Sequence, residues 1–374
     1  MKVTRTSQVA GLVVVGALAL TACGSGNNTS ANPKSTVTAG STAGSTPGST
    51  AGCATGSLSA QGSTFQGNAE LQWSKDFAAK CPGAQVAYQG TGSGAGKSAF
   101  GNGTADFGGT DSLPKAPEQA AADTRCGTGN KGVVTPVVAG AVVLTYNLPG
   151  VDKLIISAKT AAGIFQGTIK QWDAAEIKAD NPGATLPSIP IVTVHRSDKS
   201  GTTKIFSSWV KANDAAGWKL GADETLTWPG GQSAKGSDGV TTAVSQSKGG
   251  ITYTELSFAK QRSLKFADIK NASGAAVAAS GTSVSSALAS AKVNTSKGDL
   301  RITPDYATTA AGAYPLSAPS YVLTCNKGNK NAALLKAYLT YVLGDGKAVL
   351  DGLGYAPLPE AISTQAVGQV ATLA

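Results

Sequence analysis

The chain has 374 residues, a length that suits two or three domains, and 31 basic against 22 acidic residues give it a formal net charge of +9. The basic residues are scattered rather than clustered among aromatic residues, which argues against nucleic-acid binding and favours solubility with a mild attraction for anions. A single histidine and no Cys-x-x-Cys motif argue against a zinc site or a thioredoxin-like redox centre, so neither metal nor cofactor is expected.

The first 23 residues have the pattern of an export signal. Lys2 and Arg5 precede an apolar stretch at residues 10–20 that is too short for a relaxed bilayer span. Residues 20–23 resemble a bacterial lipobox, in which the chain is cut before a cysteine that then carries lipid. We therefore expect a lipoprotein signal peptide at 1–23 and lipidation of Cys23. The alternative is an ordinary signal peptide followed by an incidental cysteine.

Residues 24–56 are rich in Ser, Thr, Gly and Ala and contain one charged side chain, Lys34. Such a segment cannot bury enough apolar surface to fold, so its composition predicts a flexible tether. The globular part of the chain is then expected to start near Leu58.

Apart from Cys23, the chain has four of its five cysteines left, and export predicts two disulfides with three possible pairings. Cys53 and Cys81 precede the first two strand candidates. Cys126 precedes an apolar run that starts at residue 133, and Cys325 ends another apolar run. These positions favour the pairs Cys53–Cys81 and Cys126–Cys325.

The first strand candidate, residues 57–61, ends in a Gly-Ser-Thr turn that leads into a helix. Ser63 or Thr64 is the expected N-cap. The spacing of apolar residues predicts one buried helix face, formed by Phe65, Ala69, Trp73 and Phe77.

A second strand candidate, residues 84–88, runs into a Gly-rich turn at 89–98 that opens a short helix. The turn is close to a P-loop but has Thr91 where that pattern requires Gly or Ala. Export also places the chain where ATP is scarce, so a nucleotide hydrolase is not favoured. Glycines here still allow a backbone to approach an anion closely. A third strand candidate, at 105–108, is followed by Asp111.

The apolar run at 133–146 predicts a pair of strands in the core of a sheet. Downstream, residues 236–240 carry loop signals, a helix is expected at 240–246, and a strand at 249–254. Strands that alternate with helices in this way indicate an α/β protein with mostly parallel sheets.

The richest stretch for chemistry is residues 189–204. An apolar strand candidate brings Arg196 to a turn, after which Ser200, Gly201 and Thr202 open an amphipathic helix. The free N–H groups of a helix start attract negative charge, and a guanidinium matches anionic oxygens with a planar fork of donors. The stretch therefore predicts half of an oxyanion site; the alternative is an ordinary Ser-capped helix with a surface arginine.

Several motifs together resemble the phosphate-binding protein of the bacterial phosphate-specific ABC importer, over residues 57–360. They stand in the family's order, at 62–65, 88–93, 105–111, 162–172, 195–202, 249–253 and 353–358. The resemblance implies a periplasmic-binding-protein-like α/β fold (type II) with two lobes and a two-crossing hinge. Lobe I would comprise 57–147 and 316–374, and lobe II 148–315, with the hinge crossings near Asn147 and Tyr314.

The same resemblance implies a ligand set drawn from both lobes. Its members are Thr64, Phe65, Ser93 and Asp111 from lobe I and Arg196, Ser200, Gly201 and Thr202 from lobe II. Asp198 stands where the family pairs a carboxylate with the ligand arginine. Lys199 departs from the glycine common in the family and, with Lys97, is expected to add positive charge beside the site.

Asp111 is the residue that narrows the ligand. An ionised carboxylate only accepts hydrogen bonds, so it favours phosphate, which carries a proton near neutral pH, and repels sulfate, which does not. We therefore expect a phosphate-binding protein rather than an enzyme, lipid-anchored at the outer face of the bacterial cell membrane and delivering phosphate to an ABC permease.

Alternative interpretations are a binding protein for sulfate or molybdate, a secreted phosphatase, and a second role of the same scaffold as a surface adhesin or antigen. Asp111 argues against another oxyanion, and a single histidine argues against the metal cluster that a phosphatase usually needs. His195, which precedes the arginine, is expected to have a packing or supporting role.

Overall fold

The structure, a computed structural model, describes residues 52–374. The expected signal peptide at 1–23, the lipidation of Cys23 and most of the tether at 24–56 lie outside the described residues.

Fifteen strands run through this part of the chain, many of them short. They are β1 (Gly56–Gly62), β2 (Ala84–Gly90), β3 (Phe107–Thr110), β4 (Gly132–Asn147), β5 (Ile155–Ile156), β6 (Val192–Arg196), β7 (Gln232–Ala234), β8 (Gly250–Glu255), β9 (Lys265–Phe266), β10 (Asp268–Lys270), β11 (Ala276–Val277), β12 (Lys292–Asn294), β13 (Arg301–Thr303), β14 (Ser317–Cys325) and β15 (Tyr355–Ala356).

Twelve α-helices alternate with these strands, and a 3₁₀ turn lies at Asp345–Val349. The helices are α1 (Gly67–Lys80), α2 (Ser93–Gly101), α3 (Ala116–Cys126), α4 (Ala158–Phe165), α5 (Ala175–Asp180), α6 (Gly201–Asn213), α7 (Gly236–Gln246), α8 (Leu256–Gln261), α9 (Gly281–Ala289), α10 (Ala332–Leu343), α11 (Leu350–Leu353) and α12 (Glu360–Ala371).

The large sheet has the strand order β2-β1-β3-β14-β4-β8-β6-β7, with β15 and β9 also paired to β4. The triplet β2-β1-β3 is parallel, and so is the triplet β8-β6-β7. The strands between them, β14 and β4, pair in antiparallel fashion. The expectation of mostly parallel sheets is therefore wrong for the centre of the sheet, although the α/β class is confirmed.

The run at 133–146 forms one long strand, β4, rather than the expected pair of strands. Its first part pairs with β14 up to Ala141, and from Val142 onward it pairs with β8. Because the run lacks a turn and finds successive partners along its whole length, it stays extended. Every residue from Gly132 to Tyr146 is buried.

Parallel pairing brings the ends of strands together at two places. Strands β1, β2 and β3 are in register at Gly62, which pairs with Gly90 and Gly109. The turns that follow carry residues 63–65, Ser93 and Asp111. In the other parallel triplet, β6 ends at Arg196 and β8 at Glu255. Ligand sites of open α/β sheets lie outside such carboxyl ends.

The predicted apolar face of α1 is confirmed, since Phe65, Ala69, Trp73 and Phe77 are all at most 2% exposed. The start of the helix differs from the prediction. Helix α1 begins at Gly67 after Gln66, and neither Ser63 nor Thr64 caps it. The Ser63 hydroxyl is engaged elsewhere, because it accepts from the Phe65 N–H and donates to Asp111.

Disulfides join Cys53 to Cys81 and Cys126 to Cys325, the two expected pairs, with Cα–Cα distances of 5.4 Å each. The second bond ties the end of α3 to the end of β14, across a separation of 199 residues. Among the helices of residues 52–374, none combines the length and the apolar character that crossing a membrane requires.

Candidate functional site

Strand β6 delivers Arg196 to the interior, where the residue is only 4% exposed. Its guanidinium holds Asp198 at two points, with Nε 2.7 Å from Oδ1 and Nη2 2.5 Å from Oδ2. Burial opposes ionisation of Asp198, but the hydrogen bonds and charge of Arg196 outweigh it and lower the pKa of that carboxyl below 3.8. The expected partnership of Arg196 with Asp198 is therefore present, and it fixes the plane of the guanidinium.

Helix α6 starts beside this arginine. The Ser200 hydroxyl accepts from the Thr203 N–H at 3.2 Å, so Ser200 is the N-cap, and Gly201 and Thr202 form the first turn. The Nη1 of Arg196 lies 3.3 Å from Thr202 Oγ1, which in turn donates to Glu255 at 2.6 Å. The capped-helix interpretation and the anion-site interpretation of this stretch are thus compatible.

A second helix start, that of α7, also reaches Arg196. Residues 236–239 were expected to be loop, but α7 already begins at Gly236. Gly236 adopts a φ of +70°, and its N–H donates to Asp198 Oδ1 at 3.0 Å. The next residue, Ser237, places its hydroxyl 3.4 Å from Arg196 Nη1 and 2.7 Å from the hydroxyl of Thr64.

Asp111 lies after β3 and is 8% exposed. Hydroxyls of Ser63 and Ser320 each lie 2.5 Å from its Oδ1, and the hydroxyl of Ser93 lies 3.1 Å from its Oδ2. Burial raises the pKa of Asp111 from 3.8 to about 7, against these three hydrogen bonds and with a further upward contribution from Glu255. Asp111 can therefore change between an acceptor and a donor near neutral pH.

Ser93 connects Asp111 to the start of α6. It is the first residue of α2, and its hydroxyl contacts Asp111 and accepts from the Gly201 N–H at 3.2 Å. A Cβ on Gly201 would lie 2.5 Å from Ser93 Oγ and 2.6 Å from the Asp111 side chain, so only glycine allows this approach.

The structure brings all the residues expected to bind ligand into one neighbourhood. Thr64, Ser93, Asp111, Arg196, Gly201 and Thr202 are linked through the hydroxyl contacts above, and Ser200 caps the helix. Phe65 joins through its N–H to Ser63, while its side chain is fully buried in the core. We call this set of residues the cradle.

Sequence reasoning gave no role at the site to four residues around the cradle: Ser63, Ser237, Glu255 and Ser320. Ser63 and Ser237 stand in turns that were already noted. Glu255 had a detectable signal, because it ends a strand whose parallel neighbour ends at Arg196. Ser320 lies in the middle of β14 and had no such signal, since pairing between distant strands brings it to Asp111.

The two lysines expected to add positive charge are instead paired with carboxylates. Lys97 Nζ lies 2.8 Å from Glu224 and 3.0 Å from Glu118. Lys199 contacts Glu118 and lies 3.5 Å from Glu224. The expectation of excess positive charge beside the site is therefore wrong, because Glu118 and Glu224 balance the two lysines. The sequence alone could not place either carboxylate near the lysines.

His195 has the packing role expected of it. Its ring stacks on Trp228, with 5.0 Å between ring centroids. Burial lowers the pKa of His195 below 6.5 against two backbone hydrogen bonds, so the imidazole is predominantly neutral at neutral pH.

Comparison with known proteins agrees with this architecture. Residues 45–346 match the model of the PBP superfamily domain. Phosphate-binding protein PstS 3 of Mycobacterium tuberculosis is 35% identical over 365 residues, covering 96% of each chain. Phosphate-binding protein PstS of Xylella fastidiosa is 35% identical over 309 residues, covering 81% of each.

Solved structures share the fold. A high affinity periplasmic phosphate-binding protein solved with bound phosphate superposes with a TM-score of 0.65 at 22% identity, covering 83% of this chain and 92% of that one. The phosphate-binding protein of Stenotrophomonas maltophilia gives 0.62 at 19% identity, covering 84% and 93%. With relatives 35% identical over nearly its whole length, the chain belongs to the PstS family of phosphate-binding proteins, within the PBP superfamily.

Proposed function

We propose that this chain binds inorganic phosphate outside the membrane and delivers it to the permease of an ABC importer, as a binding protein rather than an enzyme. The observation that carries the proposal is the position of Asp111. Through the Ser93 hydroxyl, this carboxylate lies one side chain away from the start of α6 and its N–H donors. A proton acceptor beside anion donors suits an oxyanion that still carries a proton.

The ligand set proposed is Thr64, Phe65, Ser93, Asp111, Arg196, Ser200, Gly201 and Thr202. In the structure their groups bond to one another, as Ser93 does to Gly201 and Thr64 to Ser237. Phosphate would replace such contacts with its four oxygens. Arg196 would supply charge, with its plane held by Asp198.

We also propose the two-lobed organisation, with lobe I at 57–147 and 316–374 and lobe II at 148–315. Strand β4 changes partner from β14 to β8 after Ala141, close to the proposed crossing near Asn147. At the second crossing, the Tyr314 hydroxyl donates to the Val142 carbonyl at 2.9 Å. Closure of the lobes would bury the ligand between the residues of the cradle.

Calorimetry of the purified protein tests the function directly. The parent should bind phosphate with 1:1 stoichiometry, and Arg196→Met should lose at least about a hundredfold in affinity because it removes the buried charge and the charge-assisted bonds. Arg262→Met, which removes a surface arginine paired with Asp238, is the matched control and should bind like the parent. If the parent binds no phosphate, or instead hydrolyses a chromogenic phosphate ester through Arg196, the proposal is wrong.

The lipid anchor at Cys23 is proposed from the lipobox-like residues 20–23. In a host that processes lipoproteins, the parent should partition into the detergent phase and Cys23→Ser into the aqueous phase. Equal partitioning of the two proteins would reject the anchor and leave the binding function untouched.

A further inference from the structure

Four charged side chains form a network beside the cradle, which we call the Lys97 cluster: Lys97, Glu118, Lys199 and Glu224. Lys97 and Glu224 are buried, whereas Lys199 is exposed. The Lys97 amine lies 2.8 and 2.9 Å from the two oxygens of Glu224 and 3.0 Å from Glu118. Lys199 contacts Glu118 and lies 3.5 Å from Glu224. Ser112 donates to Glu224 and accepts from Lys97 at 3.1 Å.

The two central side chains of the cluster, Lys97 and Glu224, are each 1% exposed. Taking both charges out of water is costly, and their attraction repays the cost only if the geometry is good and further hydrogen bonds are made. A single buried pair is for this reason weak support for stability but a strict constraint on geometry: moving either partner leaves a charge without compensation.

Each partner is also tied to a residue of the cradle. Lys97 lies on α2, one turn after Ser93. The backbone carbonyl of Glu224 accepts from the Ser200 N–H at 3.0 Å. Next to them, the carbonyl of Lys199 accepts from the Gly94 N–H at 3.0 Å. The cluster therefore links the start of α2, where Ser93 lies, to the start of α6, where residues 200–202 lie.

We propose that Lys97 and Glu224 are positioning residues for phosphate binding: their ion pair sets the spacing between Ser93 on α2 and residues 200–202 on α6. Neither residue belongs to the cradle itself. The proposal rests on the phosphate-binding function proposed above, and it explains why a lysine and a glutamate that carry no net charge together are buried beside an anion site.

Glu224→Gln separates positioning from simple electrostatics, because the two accounts predict opposite signs. The substitution keeps the shape of the side chain and removes one negative charge near the anion. Coulomb's law alone then predicts tighter phosphate binding. Positioning predicts weaker binding, because Lys97 loses its main partner and α2 is no longer held against the α6 start.

The experiment is phosphate calorimetry of the parent, Glu224→Gln, Lys97→Met and the double variant. Both single variants should weaken binding by about tenfold, and the double variant should stay weak although no buried charge is left uncompensated. Asp238→Asn is the matched control, since it removes an exposed carboxylate one residue after Ser237 and should bind like the parent or slightly tighter. Thermal unfolding without phosphate reports the folding of each variant.

Three results would overturn the inference. They are tighter or unchanged binding in Glu224→Gln, recovery of the parent affinity in the double variant, and a loss of affinity in Asp238→Asn as large as in Glu224→Gln. Any of these together with normal phosphate binding by the parent leaves the proposed function standing. Absence of binding by the parent would instead reject the function itself.

Discussion

Asp111 shows how burial and hydrogen bonding share control of one carboxyl group. Burial raises its pKa to about 7, while three serine hydroxyls oppose the rise. Above that pH the ionised group only accepts, so it favours an oxyanion with a proton. Below it, the protonated group donates, and the discrimination against sulfate is expected to weaken as the pH falls.

Asp111→Asn should replace the carboxylate with a neutral amide, whose N–H can donate at every pH. We expect sulfate affinity to rise by about tenfold or more, because the amide donates to an unprotonated oxygen and the repulsion is removed. Phosphate affinity should fall, because the neutral amide oxygen accepts from the phosphate hydroxyl less strongly than a carboxylate does. Competitive calorimetry at one pH measures both constants. Asp351→Asn, at an exposed position, should change neither. Retained discrimination in Asp111→Asn would show that the carboxylate does not select the ligand.

Glu70 gives a pH dependence of stability that is separate from ligand binding. Burial raises its pKa from 4.5 to about 8, although a hydrogen bond from Tyr338 lowers it. Between pH 4.5 and about 8, Glu70 keeps a proton in the folded state that it has already lost in the unfolded state. The contribution of this group to stability therefore falls as the pH rises through that window.

Glu70→Gln should remove that contribution, which is of the order of a few kcal/mol. Denaturant unfolding of the phosphate-free protein should depend less on pH across the window in the variant than in the parent. Glu176→Gln, at an exposed carboxyl, should keep the parental profile. An identical pH profile for Glu70→Gln and the parent would show that Glu70 does not carry a shifted proton.

At the scale of elements, sequence patterns predicted the helices whose faces are strongly apolar. An amphipathic helix was expected from residues 200–202 onward, and α6 buries Ile205, Phe206, Trp209 and Val210. The residues at which helices start were harder to predict, because local hydrogen bonds of side chains compete with capping of the helix. Ser63 bonds to Phe65 and Asp111 rather than capping α1, and Gly236 opens α7 where glycine suggested a loop.

The two disulfides differ in the length of chain that they close. Chain-entropy arguments give about 5 kcal/mol for the bond between Cys126 and Cys325, with its separation of 199 residues, and about 4 kcal/mol for the bond between Cys53 and Cys81, with 28. Cys126→Ser/Cys325→Ser should therefore lower the unfolding temperature more than Cys53→Ser/Cys81→Ser. The opposite order in thermal unfolding would contradict this account.

At the scale of the whole molecule, the sequence was sufficient to predict the fold class, because its motifs occur in the family's order. The same motifs named residues that the structure brings together. The sequence could not place the partners that arrive from distant segments. Ser320 meets Asp111 only through the pairing of β14, and Glu224, in the segment between α6 and β7, meets Lys97 on α2 only in the folded chain. Those contacts depend on tertiary packing rather than on any local pattern.

A substitution at Gly201 tests whether the start of α6 must lie close to Ser93 and Asp111. Gly201→Ala places a Cβ 2.5 Å from Ser93 Oγ and 2.6 Å from Asp111, so we expect phosphate affinity to fall by at least about tenfold while the fold persists. Gly368→Ala is the matched control, a helical glycine whose Cβ would have nothing within 4 Å. Parental affinity in Gly201→Ala would mean that this approach is not required for binding.

The central claim is that Asp111, linked through Ser93 to the start of α6, makes the cradle specific for a protonated oxyanion. Its most direct test is calorimetry of the parent protein with phosphate and with sulfate at a pH well above the pKa of about 7. We expect phosphate to bind with 1:1 stoichiometry. Sulfate should bind much more weakly, with an affinity lower than that of phosphate by well over about tenfold. Sulfate affinity within about tenfold of phosphate affinity, or no phosphate binding, would contradict it.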